Sequence, residues 1–373
     1  VGFLNGWTSF TMGFSAPIAA AAVSFTAYFL PLLPWQPLPG IDPFGLTPML
    51  LPVVLVWSLT AFHLAGVAAG GSLQRLLTAT TVLAMLFLVG GAFTLGQGTW
   101  AHFTETPGTA PPRVGTMVVS LIFVMYAYSG WNVAGYIAGE IRDPGRTIPR
   151  TMVAGTLFVT VLYLALNAVY LYALPVGALA QEPILPVAEK AAVAMFGAEK
   201  ARLVAALLCC SIAAAVSAMI WAGPRVYFAM ARDGLLPSLF GRTGPRSGAP
   251  VYAILLQSGW ATVLILSGTF EQLVIYSGFI LTLFSGLAVA AVPILRWRRA
   301  DLPRPYRAPG YPIVPGLFSL AALVIVTYTV WERPTEAGWA LATLAAGYPL
   351  YLWSRRRTRD KAQDPERGRG TQG

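Results

Sequence analysis

The sequence predicts an all-α polytopic membrane protein, and three observations predict it. Hydrophobic residues make up 56% of the chain and charged residues only 11%. Apolar segments of about 20 residues, the length that crosses a bilayer as a helix, recur from end to end. The 373 residues therefore read as one membrane domain and not as two or three soluble ones. Basic residues fall into alternate connections between those segments, which is the pattern that membrane orientation imposes.

Ten spans follow in order. The first covers about 2–30 and ends at a connection rich in proline (Pro31, Pro34, Pro37, Pro39, Pro43), which cannot continue a helix. The second (49–68) and third (73–95) are separated by a turn expected at Gly70-Gly71-Ser72. The fourth begins near Val114 and ends at Glu140, and the fifth covers 151–174. A long connection then holds a short helix, Val187–Phe196, expected to lie on the surface. The remaining spans are 201–230, 251–266, 273–295, 315–331 and 337–353. Residues 354–373 are polar, basic and glycine-containing, and are expected to form a disordered tail after the single transmembrane domain, 1–353.

One set of connections carries Arg75, Arg142, Arg146, Arg150, Arg225, Arg232, Arg242, Arg246, Arg296, Arg298, Arg299, Arg304, Arg307 and the basic tail; the other carries only Arg113, Lys190, Lys200, Arg202 and Arg333. The positive-inside rule places the first set, and with it both ends of the chain, in the cytoplasm. The net charge of +10 does not point to nucleic acid, because the cations sit in short connections and form no basic folded face. Two adjacent cysteines inside a span, Cys209 and Cys210, make no disulfide framework. Val1 opens directly in an apolar run without a basic leader, so no signal peptide is expected.

The fourth span differs from the rest. At its middle, Tyr126-Ala127-Tyr128-Ser129-Gly130-Trp131-Asn132 brings hydroxyl, indole and amide groups to mid-depth, and Ser129-Gly130 lowers helix propensity there. A broken helix at that depth is tolerated where freed backbone groups face protein or a watery cavity, and many secondary transporters hold substrate at such a break. A kinked helix whose polar groups bond to neighbouring helices accounts for the same residues. Elsewhere, His63 reads as a neutral imidazole bonded to a neighbouring helix and Asn167 as interhelical glue. Glu140, Arg142 and Asp143 could form an ion-pair network at the cytoplasmic end of the fourth span. The lysines, Lys190, Lys200 and Lys361, follow no glycine-rich phosphate loop, and His63 and His102 are too few to build a metal site with the cysteines present. No cofactor is expected; transport of any kind would run on a gradient or by exchange.

The run AYSGWNVAGYIAGEIRDPGRTIPR resembles the sixth-helix signature of the amino acid–polyamine–organocation permeases, above all the L-type amino acid transporter branch. A second similarity is SAMIWAGPRVYFAMARDG from Ser217 to Gly234, and a third, Gly6-Trp7-Thr8-Ser9-Phe10, resembles the start of that family's third helix. The resemblance implies a LeuT-type fold of two inverted repeats and a secondary transporter of amino acids by alternating access. The alternatives are a polyamine or organocation permease, or a receptor or scaffold on the same fold. It implies that carbonyls at Tyr126, Ala127 and Ser129 receive the substrate ammonium, that the Tyr126 ring gates the site, and that Tyr128, Gly130, Trp131 and Asn132 complete the break and the pocket.

Two departures from the family pattern accompany the resemblance. The family's first two helices have no counterpart, so the chain is expected to be incomplete and inactive as written. Where many relatives carry a lysine in the fifth helix, this sequence has Thr81, which leaves sodium, proton or simple exchange as the coupling mode, with Thr81 and Ser217 as candidate ion-coupling hydroxyls. Small residues of the first span (Ser15, Ala16, Ala19, Ala20) suggest room for a larger substrate side chain. The expected partners are a small amino acid or amine and the lipid of the plasma (inner) membrane, with no nucleic acid; oligomeric state is not read.

Overall fold

The computed structural model describes residues 2–33, 47–105, 113–131, 133–136, 141–181, 187–245, 247–301, 304, 306 and 308–363. Regular structure among the described residues is helical. Apart from short turns of helix at Trp100–Phe103, Val176–Leu179 and Ser238–Gly241, the helices in chain order are α1 (Gly2–Leu32), α2 (Thr47–Leu64), α3 (Val67–Leu95), α4 (Val114–Ala127), α5 (Val133–Tyr136), α6 (Pro144–Ala173), α7 (Val187–Phe196), α8 (Ala198–Arg232), α9 (Val251–Ser267), α10 (Phe270–Arg298), α11 (Ile313–Glu332) and α12 (Pro334–Gln363). Seven of them are long and apolar enough to cross a membrane, and α4 and α9 are shorter apolar helices. This is the all-α polytopic membrane architecture that the composition requires.

Helix α1 is the centre of the bundle. In its most apolar stretch 56% of residues are buried, against 11% for α3. Its small residues explain why. Ala16, Ala19, Ala20 and Ala22 are completely buried and pack against Val56 of α2, Val216 and Ile220 of α8 and Ala261 of α9. Short side chains let helix backbones approach closely where lipid supplies no hydrophobic drive for association. These alanines therefore serve packing. Ser15 is equally buried, its hydroxyl donating to the Phe10 carbonyl at 2.7 Å.

Within α1, Ser9–Phe14 winds as a π-helix. Its widened turn exposes backbone oxygens to side-chain donors from other helices. The indole of Trp260 on α9 donates to the Thr11 carbonyl at 2.9 Å. Helix α8 bends where Gly223 meets Pro224. Gln257 of α9, fully buried, spans that bend: its amide donates to the Met219 carbonyl at 3.1 Å and its oxygen accepts from the Tyr227 hydroxyl at 2.5 Å. A side chain at position 223 would meet the Gln257 oxygen, so the glycine makes this contact feasible.

Several boundaries move from where the sequence places them. The second turn of the chain lies at Gly66 (φ 152°), not at Gly70–Ser72, which is helical. Gly66 adopts a backbone conformation closed to other residues, whereas Gly70 packs so closely on His63 that a β-carbon there would lie 2.6 Å from its Nδ1. Helix α6 starts at Pro144, a residue pre-organised for the first helical position. Helix α12 runs to Gln363, so the first part of the expected tail is helical; arginine and lysine, common there, are good helix formers. The surface helix at Val187–Phe196 forms as expected and lays Ala188, Ala191, Ala192 and Met195 against the bundle.

Candidate functional site

Helix α4 stops at Ala127, and Tyr128 to Trp131 form a non-helical crossing before α5 resumes at Val133. Gly130 has φ 97°, the left-handed region that a side chain disfavours, and it takes the backbone out of the helical conformation there. The local bonds are turn bonds: Ser129 N–H donates to the Tyr126 carbonyl at 3.0 Å and Val133 N–H to the Gly130 carbonyl at 3.1 Å. The sequence left a kinked and a broken helix open; the backbone is broken. Asn132, expected to complete this site, lies outside the described residues, as does Glu140.

Helix α6 braces the break from one side. The Tyr163 hydroxyl donates to the Ala127 carbonyl at 3.0 Å, and the Tyr128 hydroxyl donates to Thr160 at 3.0 Å. The two tyrosine rings meet edge to face, 5.3 Å between centroids. The Ser129 carbonyl accepts no hydrogen bond among the described residues. Tyr126 turns the other way, half-buried against the core around α1.

Two cavities open beside the break and meet at Trp131, which is 46% exposed. One, of about 180 Å³, is lined by Tyr128, Ser129, Gly130, Thr156, Thr282 and Ser285. The other, of about 280 Å³, runs along the π-helical part of α1 past Asn5, Ser9 and Gly13 to Phe284 and Ser285. Thr282 is buried, lines the first cavity, and its hydroxyl has no partner among the described residues. A larger space of about 850 Å³ lies between α3 and α8, around Gln74, Thr78 and Trp221. It is a broad groove away from the break.

Four of the expected residues, Tyr128, Ser129, Gly130 and Trp131, therefore share one cavity, and the Ala127 carbonyl is bonded to Tyr163. The ion-coupling pair is not assembled. Ser217, fully buried, is bonded to His63 Nε2 at 2.9 Å. The Thr81 hydroxyl donates to the Leu77 carbonyl of its own helix at 2.9 Å. Helices α3 and α8 run antiparallel, with Gly70 beside Trp221 and Gln74 donating to the Ala214 carbonyl. Thr81 lies seven residues beyond Gln74, about 10 Å along the axis, and Ser217 lies on the other side of that contact. His63 thus has the interhelical bond expected of it. Asn167 does not: its amide donates to the Tyr163 carbonyl one turn back in its own helix. Arg142 and Asp143 form no ion pair with a described residue.

Sequence reasoning missed Asn5, Ser9, Thr282 and Ser285. The signal was present as spacing: Asn5 and Ser9 are four apart, Thr282 and Ser285 three apart, so each pair shares a helix face in an apolar span. What it lacked was the partner face.

Residues 1–351 match the amino acid permease family. The chain belongs to that family. It is 28% identical over 365 residues to the human large neutral amino acids transporter small subunit 2, covering 94% of this chain and 65% of that protein. It is 26% identical over 363 residues to the serine/threonine exchanger SteT of Bacillus subtilis, covering 95% of this chain and 79% of that protein. The human cystine/glutamate transporter is 24% identical over 365 residues, covering 95% and 70%. The chain thus spans just under two thirds of the length of the large neutral amino acid transporters it matches. The family places the helix break and its cavities in a permease, and the chain is an integral membrane protein.

Proposed function

We propose that this permease moves amino acids across the plasma membrane by alternating access, with the substrate held at the Tyr128–Trp131 break. The observation that carries the reading is the break itself. A left-handed glycine follows the end of an apolar helix, and the residues of the break line a cavity that meets a second one at Trp131. Unwound carbonyls carry partial negative charge and lack helical partners, which suits an ammonium group. The Ser129 carbonyl is the best placed acceptor, and the Ala127 carbonyl keeps a second lone pair beside its bond to Tyr163. Thr282, Ser285, Asn5 and Ser9 are the polar groups available to the rest of the substrate.

The basic connections belong on the cytoplasmic side by the positive-inside rule. Exchange of one amino acid for another fits the committed hydroxyls of Thr81 and Ser217 better than a sodium site built from both; a proton route would pass through His63 and Ser217. One relative carries the word exchanger in its name.

The test is uptake of labelled amino acids into proteoliposomes loaded with unlabelled amino acid, repeated with sodium replaced by choline and with an acid-outside gradient. Trans-stimulated uptake indifferent to sodium is expected. Saturable binding without flux would identify a receptor on the same fold, and uptake of labelled diamines in place of amino acids would identify an organocation permease.

A further inference from the structure

We propose that the end of the bundle where α10 passes into α11 is a binding site for an anionic phospholipid. Residues 296–307 contain five arginines and one aspartate. Three features turn that charge into a shaped site.

The first is layering. Along α10, the exposed Ile294 and Leu295 give way to Trp297, 83% exposed, and then to Arg298 and Arg299. Helix α11 presents Ile313 and Leu317 beside them, also exposed. Aliphatic, aromatic and guanidinium groups thus succeed one another along the helix axis, in the same order as acyl chain, glycerol region and phosphate in a lipid leaflet. Amphipathic rings such as tryptophan settle at the headgroup level.

The second is orientation. The Arg296 guanidinium lies 3.9 Å over the Tyr311 ring. Stacking engages the flat face of the guanidinium, while its N–H donors point outward in the plane, where they can bind phosphate oxygens bidentately. The third is rigidity. Arg304 donates to the carbonyls of Arg299 and Ala300, which caps the end of α10 where Arg298 and Arg299 sit. Asp301, the one acid present, pairs with Arg299 in an exposed contact at 3.4 Å. Such pairs contribute little and do not cancel the local charge.

The exposed aliphatic shelf beneath the arginines distinguishes a lipid from free phosphate, which would leave that shelf unused. Anionic headgroups are drawn to basic segments beside a transmembrane helix, and each arginine near the surface adds to the attraction.

The experiment reads lipid retention by native mass spectrometry on protein in nanodiscs of phosphatidylcholine containing a minor fraction of phosphatidylglycerol. The variant is Arg296→Gln/Arg298→Gln/Arg299→Gln. The control is Arg142→Gln/Arg146→Gln/Arg150→Gln, which removes equal charge elsewhere. The site predicts preferential retention of phosphatidylglycerol, a loss of about a hundredfold in its affinity in the first variant, and little change in the control. Tyr311→Leu, which removes only the stacking partner, should weaken retention about threefold and serves if the triple variant is not recovered from membranes. Equal retention of the two lipids, equal loss in the control, or displacement of the lipid by inorganic phosphate at matched concentration would each overturn the proposal.

Discussion

The hydroxyl of Tyr163 donates to the carbonyl of Ala127, the last helical residue of α4, across 3.0 Å. A carbonyl released by a helix end needs a partner, and here a neighbouring helix supplies it. The bond therefore fixes where the helix ends as well as how its freed carbonyls are aimed. Tyr163→Phe should weaken amino acid binding about fivefold, the worth of one ordinary hydrogen bond, with the unfolding midpoint nearly unchanged. Calorimetric titration of both proteins checks it; equal affinities would show that the Ala127 carbonyl is not part of the site.

Replacing Ser129-Gly130 by Ala-Leu puts a side chain at φ 97° or restores a continuous helix. Space is not the obstacle, since nothing among the described residues lies within 4 Å of where a β-carbon on residue 130 would sit. The backbone conformation is, at a cost of about 1–2 kcal/mol. The variant should insert normally and lose binding. Retained affinity would remove the break from the site.

Trp131 joins the two cavities, and Trp131→Ala should merge them. Binding of small amino acids should fall, and preference should shift toward larger side chains, because a hydrophobic wall discriminates by about 1–3 kcal/mol for each methylene-sized difference. A competition panel of amino acids against a labelled one reads the shift. An unchanged ranking would show that Trp131 only packs.

Gln257→Leu should destabilise the protein by roughly 1–3 kcal/mol, from the loss of two buried hydrogen bonds at about 0.5–1.5 kcal/mol each. It removes the bonds that tie α9 to the Met219 carbonyl and the Tyr227 hydroxyl across the bend of α8, while the Met219 carbonyl keeps its bond from Gly223 N–H. Thermal unfolding in detergent measures it, with Val263→Leu, on an exposed position of the same helix, as the neutral comparison.

Outside the spans, burial in α7 pushes the Glu189 carboxyl above its ordinary range. A raised folded-state value means the native protein holds the proton more tightly. The stability this contributes is complete below the ordinary carboxylate range and is lost as pH rises through the raised value. Glu189→Gln should remove that dependence and leave the protein slightly more stable at neutral pH. Melting curves across mildly acidic to neutral pH check the sign.

The sequence by itself determined that this chain is a helical membrane protein, because apolar length and alternating charge are local quantities that the bilayer reads directly. It also marked where α4 departs from a plain helix, without deciding between a kink and a break. Gly130 follows Ser129 in a span otherwise favourable to helix, and a full break is tolerated at mid-depth only where tertiary partners or a cavity accept the freed groups. Only the tertiary structure decided what the break faces. Tyr163 and Thr160 meet it because α6 packs alongside, and Thr282 and Ser285 enter the cavity because α10 turns that face inward. Thr81 and Ser217 looked equivalent as hydroxyls in apolar spans, yet the antiparallel packing of α3 on α8 sets them apart and gives Ser217 to His63. The π-helical turn of α1 and its clasp by Trp260 were equally beyond the sequence, since a partner 249 residues away supplies the bond. Propensity acts within a turn or two of chain, whereas which side chains share a cavity depends on helix rotation and register, set by the close packing of the whole core.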